Sequence, residues 1–66
     1  MITLEQVEAR VKEIEAARGD DEIAHGMEDT LRGDVLRSVA AGVYNASALA
    51  IAALETDQII FSRWCA

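Results

Sequence analysis

D-D-E-I-A-H-G-M-E-D-T-L-R-G-D-V-L-R-S-V-A-A-G, residues 20–42, is the stretch that decides the fold. As one helix it is a long element on which the rest of the chain packs; broken at Arg32-Gly33-Asp34 it is two short ones. Asp20 or Asp21 offers an N-cap oxygen, further acids sit in the first turn where the helix dipole favours negative charge, and Gly42 suits the C-terminal cap. With Asp21 at zero and about 100° per residue, Ala24, Met27 and Leu31 fall at about 300°, 240° and 280°, whereas Val35, Val39 and Leu36 fall at about 320°, 0° and 60°. The apolar side thus turns by about a quarter circle near Gly33. A continuous helix absorbs this if its four-residue ladder of Met27, Leu31, Val35 and Val39 crosses its neighbours steeply. The other reading is a kink at Gly33, with Asp34 capping a second piece. The continuous helix is the expectation.

Upstream, Thr3 and Gln6 form a capping box, and Leu4, Val7, Val11 and Ile14 follow as a narrow apolar seam. Glu8 and Lys12 are spaced to pair on the outer face. Gly19 is expected to stop this helix, with Arg18 in its last turn. Two heptads are too short for a free-standing coiled coil, so the seam predicts core packing. Downstream, N-A-S-A-L-A-I-A-A-L-E reads as a helix from Asn45 or Ser47 to about Glu55, apolar on all sides and so expected to be enclosed. The ending T-D-Q-I-I-F-S-R-W-C-A is too apolar for a free tail. The expected architecture is all-α: one domain over residues 1–66, three helices, and a C-terminal segment packed across them.

Sixty-six residues support one domain, and a chain so short buries only about 60% of its unfolded surface. The single cysteine, Cys65, cannot form an internal disulfide, and a lone thiol suits a reducing compartment. Extra stability is therefore expected from self-association, and a homodimer is the favoured form. Twelve Asp/Glu against six Lys/Arg give a net charge of −6, which disfavours direct contact with nucleic acid and with anionic membranes. A hydrophobic content of 52% argues against disorder. The acidic start M-I-T-L-E-Q-V-E lacks the apolar core of a signal peptide, and Ser38–Leu54 is short for a membrane span. A soluble, cytoplasmic protein is expected.

His25 stands among Asp20, Asp21, Glu22, Glu28 and Asp29. The wheel groups Asp21, His25, Glu28 and Arg32 within about 60°, with Glu22 and Asp29 alongside and Ala24, Met27 and Leu31 across from them. The cluster is therefore expected to be wet. It reads first as a solvated face, and second as a contact surface for a basic partner through Asp21, Glu22, Glu28 and Asp29, since such a patch steers association. A third reading is metal: Glu22-x-x-His25 has the Glu-x-x-His spacing of di-iron bundles, and Glu22, His25, Glu28 and Asp29 are the candidate ligands. One chain has too few, so only a symmetric dimer could complete that site. An acidic DNA mimic, occupying a nucleic-acid-binding protein, is a further alternative. No cofactor site is apparent.

Catalysis finds no support. Ser38, Ser47 and Ser62 lack a nucleophile elbow, Cys65 has no evident base, and the four glycines are isolated rather than gathered into a phosphate loop. R-G-D at 32–34 is a short chance match. A non-enzymatic chain is expected.

D-D-E-I-A-H-G-M-E-D-T-L at 20–31, V-L-R-S-V-A-A-G at 35–42 and F-S-R-W-C-A at 61–66 together resemble a group of small acidic proteins carried by actinobacterial phages and prophages. Those proteins place an acid-acid-Glu-x-Ala-His-x-x-Glu-Asp-x-Leu block first, then a Val-Leu-x-x-Ile/Val-Ala helix, and close on Asp-Phe-x-Arg-Trp-Cys-Ala. Ile60 stands here where the aspartate is usual. The resemblance spans residues 20–66 and implies a phage or bacterial cytoplasmic setting, with a host or phage protein as partner. It also implies that Phe61, Arg63, Trp64 and Cys65 belong to the fold, as a plug over the core or as a docking element.

Overall fold

The apolar seams and caps of the sequence become three α-helices in a computed structural model that describes residues 1–63. Helix α1 spans Leu4–Ala16, α2 Asp21–Ala40 and α3 Ala46–Leu54; a 3₁₀ turn, Glu55–Gln58, follows. Residues 59–63 then run back over the helices. The role expected of Trp64 and Cys65 lies outside the described residues.

Helix α1 starts at the capping box: Gln6 N donates to Thr3 Oγ1 at 3.1 Å, and Thr3 N donates to Gln6 Oε1 at 2.9 Å. Val7 and Ile14 are fully buried, with Leu4 and Val11 packed at the edges of the same seam. The helix ends earlier than expected, at Ala16, so neither Gly19 nor Arg18 belongs to its last turn. Its end is closed by the Ala17 amide, which donates to Glu13 O and Ile14 O, and Asp20 N then turns back to Ala17 O at 2.9 Å. Gly19 does not take a positive φ.

Helix α2 runs unbroken through Arg32-Gly33-Asp34. Asp20 is its N-cap, accepting from Ile23 N at 3.2 Å. Asp34 does not cap a second piece, because both its oxygens are engaged: Arg10 Nη1 of α1 donates to Oδ2 at 2.7 Å and Arg37 Nη2 to Oδ1 at 2.6 Å. These bonds hold the Asp34 carboxyl below its ordinary pKa, Arg10 contributing most. The buried positions are Ala24, Glu28, Leu31, Val35 and Ser38, a 4-3-4-3 seam that includes two polar residues. At the C-terminus Gly42 takes φ +83°, its amide donates to Val39 O at 3.0 Å, and Val43 N reaches Ser38 O at 3.4 Å. This is a Schellman cap, which requires the left-handed residue that glycine supplies without a Cβ penalty.

All three helices pack on one another around Val7, Ile14, Ala24, Leu31, Val35, Leu49, Ala52, Ala53 and Ile59. Enclosure of α3, expected from its composition, does not hold. Its Leu49 side is buried, while Ile51 is 68% and Leu54 55% exposed. A three-helix domain covers one side of a short helix and leaves the other to solvent. Among the described residues no helix is long and apolar enough to cross a membrane.

Candidate functional site

The wheel reading of Glu28 is corrected by the structure. Glu28 is not wet: it is 2% exposed, on the buried seam of α2 beneath the C-terminal segment. The geometry of the helix explains why. Glu28 falls at about 340°, at the edge of the arc from about 260° to 340° that holds Ala24, Leu31, Val35 and Ser38, whereas Val39 at about 0° and Leu36 at about 60° are exposed.

Its charge is met from the far end of the chain. Arg63 Nε donates to Glu28 Oε1 at 2.9 Å and Nη2 to Oε2 at 3.0 Å, a two-pronged pair that suits a planar guanidinium. The same guanidinium donates to the carbonyls of Thr56, Ile59 and Phe61 at 2.8, 3.0 and 3.3 Å and lies 3.8 Å from the centroid of the Phe61 ring. Arg32 adds a second positive charge, with Nη2 3.8 Å from Glu28 Oε2; that nitrogen also donates to Thr56 Oγ1 at 3.0 Å and Asp57 Oδ1 at 2.6 Å. The Arg32 Nε is buried with no acceptor among the described residues. Burial opposes ionisation of Glu28 most strongly as a single effect. The Arg63 hydrogen bonds and the charges of Arg32 and Arg63 together exceed it. The carboxyl is therefore held below its usual range. The Glu28 hydrogen bonds in turn raise Arg63.

The other sequence candidates divide between the C-terminal strap, residues 59–63, and the surface. Asp21 is exposed but accepts from Ser62 N at 3.1 Å, pinning the strap to the start of α2. His25, expected to be wet, has a side chain only 15% exposed, with Nε2 3.5 Å from Asp29 Oδ1. Glu22 and Asp29 are exposed. Among the described residues no group of three or more His, Cys, Asp or Glu side chains is placed to hold a metal ion. Glu28, one of the proposed ligands, has both oxygens taken by Arg63.

Glu22, Asp29 and Leu36 are spaced by seven, so they lie on one outer flank of α2 at about 100°, 80° and 60°. This flank changes character along its length. Its N-terminal half carries Glu22 and Asp29. Its C-terminal half carries Leu36, 66% exposed, beside an apolar groove of about 200 Å³ lined by Arg32, Val35, Leu36, Ala50, Ala53 and Leu54. The pairing of Arg63 with Glu28 and the groove are the features that the reading of the sequence did not single out. The polar Glu28 on an apolar ridge was the available signal for the first. No protein family, curated protein or solved structure matches the chain.

Proposed function

We propose that this chain is a small non-enzymatic interaction protein of phage or prophage origin, which meets a basic surface of a host or phage protein through the acidic flank of α2. One observation carries the reading. Among the described residues Arg10, Arg18, Arg32, Arg37 and Arg63 are all in ion pairs with carboxylates of this chain, while Glu22 and Asp29 face solvent without an arginine. Exposed carboxylates without an arginine accelerate and orient encounter with a cationic partner. The partner surface is narrower than the sequence suggested: Glu28 belongs to the interior and Asp21 to the strap. The likeness of residues 20–31 and 61–66 to small phage proteins supports a host or phage protein as the partner. A metal-binding dimer is less well supported, because Glu28 is committed to Arg63, and a DNA mimic would need a longer run of free carboxylates than this flank offers.

The test is charge reversal at these two positions of the flank. Glu22→Lys with Asp29→Lys should leave the circular dichroism and thermal midpoint near wild type, and should remove the partner captured from host lysate by the wild-type protein. Retention of every captured protein by the folded double variant would sink the proposal.

A further inference from the structure

We infer that the α2–α3 groove docks a helical segment of another protein that is apolar at one end and basic at the other, laid along the outer flank of α2. The inference rests on the acidic-flank reading above and extends it, because the groove is an independent feature. Leu36, Ile51 and Leu54 are each more than half exposed, Val39 is 38% exposed, and Ala50 and Ala53 floor the space between the helices. A groove of about 200 Å³ is small for a metabolite site, which typically takes about 300 Å³ or more, and accommodates one or two inserted side chains. Helix-in-groove recognition uses apolar anchors at such positions, spaced i, i+3, i+4 and i+7.

Charge selects the occupant. Leu36 is seven residues from Asp29 and fourteen from Glu22, about 10 and 20 Å along the helix axis. A segment whose anchors fill the groove and which continues along α2 therefore brings its next two to four turns over carboxylates. Lysine or arginine there is favoured and Asp or Glu repelled. A second copy of this chain is a poor occupant. It also carries a net charge of −6, and among its described residues every arginine is committed to its own carboxylates. Its one lysine, Lys12, is exposed on α1, a single charge against the two carboxylates of Glu22 and Asp29.

The probe is a displayed library of randomised 18-residue helical peptides, selected on the intact protein. Enrichment of apolar residues at helical spacing in one half and Lys/Arg in the other is expected. For the strongest enriched peptide, Leu54→Asp should weaken binding at least tenfold at all salt concentrations. Glu22→Lys with Asp29→Lys should weaken it about tenfold at low salt and flatten the salt dependence. Enrichment of peptides without a basic half, or no enrichment, overturns the inference. If Leu54→Asp has no effect while charge reversal abolishes binding, the acidic flank stands alone and the groove is not a docking site. If both variants bind as wild type, both readings fall. Sedimentation showing a wild-type dimer that Leu54→Asp disperses assigns the groove to a second copy and also overturns the inference.

Discussion

Arg63→Ala should expose the energetics of the strap. The substitution leaves the Glu28 carboxylate buried, with Arg32 Nη2, 3.8 Å away and shared with Asp57, as its nearest remaining cation. Removing one partner of a buried pair typically costs about 3–5 kcal/mol. Arg32 still compensates in part, and the Arg63 side chain is about one-third exposed, so about 2–3 kcal/mol is the expected loss at pH 7. For a domain this small that corresponds to roughly 10–20 °C in thermal midpoint. An ordinary surface pair would cost about 0–1 kcal/mol. The assay is urea unfolding followed by circular dichroism at pH 7 and again near pH 4. In the wild type Glu28 is held below its reference value of 4.5, so between the two pKa values the unfolded chain binds more protons. Its contribution is complete above about pH 4.5 and is lost as pH falls through the folded value. In Arg63→Ala burial is offset only in part, by Arg32, the Glu28 pKa moves upward, and protonation relieves the penalty. The gap between wild type and variant should therefore shrink as pH falls. A gap under 1 kcal/mol at pH 7, or one unchanged near pH 4, would show that the buried charge is not what Arg63 holds.

Further outcomes follow from other parts of the fold. Leu49→Ala, at a fully buried core position, should cost about 2–5 kcal/mol in the same urea assay. Gly42→Ala should cost about 1 kcal/mol, since alanine resists φ +83°, whereas Gly19→Ala should be near neutral or stabilising. Thr3→Ala removes one half of the capping box and should lower stability by about 1 kcal/mol. Adding Zn²⁺ or Co²⁺ should leave the thermal midpoint unchanged; a rise that His25→Ala abolishes would restore the metal reading.

The helices were legible because each carries local signals: the Thr3–Gln6 box, the Leu4–Ile14 seam, the Asp20 cap and the Gly42 terminus all act within a few residues. The continuity of α2 holds without a rotating stripe, because its buried residues stay between about 260° and 340° and Leu36 is left exposed. What escaped depends on distant pairing. Arg63 lies thirty-five residues from Glu28, and no periodicity links them. The acids around His25 looked alike in sequence, yet a shift of about 20° on the wheel separates buried Glu28 from exposed Asp21. The end of α1 was misplaced because a turn of backbone hydrogen bonds after Ala16 closes it without using the glycine. The exposure of α3 was also hidden: an alanine-rich helix with large apolar residues on several sides does not announce which side finds a neighbour.

The order of synthesis gives the Glu28–Arg63 pair a further meaning. A growing chain makes the acid first and carries it through the completion of all three helices before its partner is added. Until then Arg32 Nη2, 3.8 Å away, is the nearest cation to that carboxylate. Arg63 then meets that carboxylate with two hydrogen bonds. A chain truncated before residue 63 should therefore be cleaved by proteases faster than one that includes it.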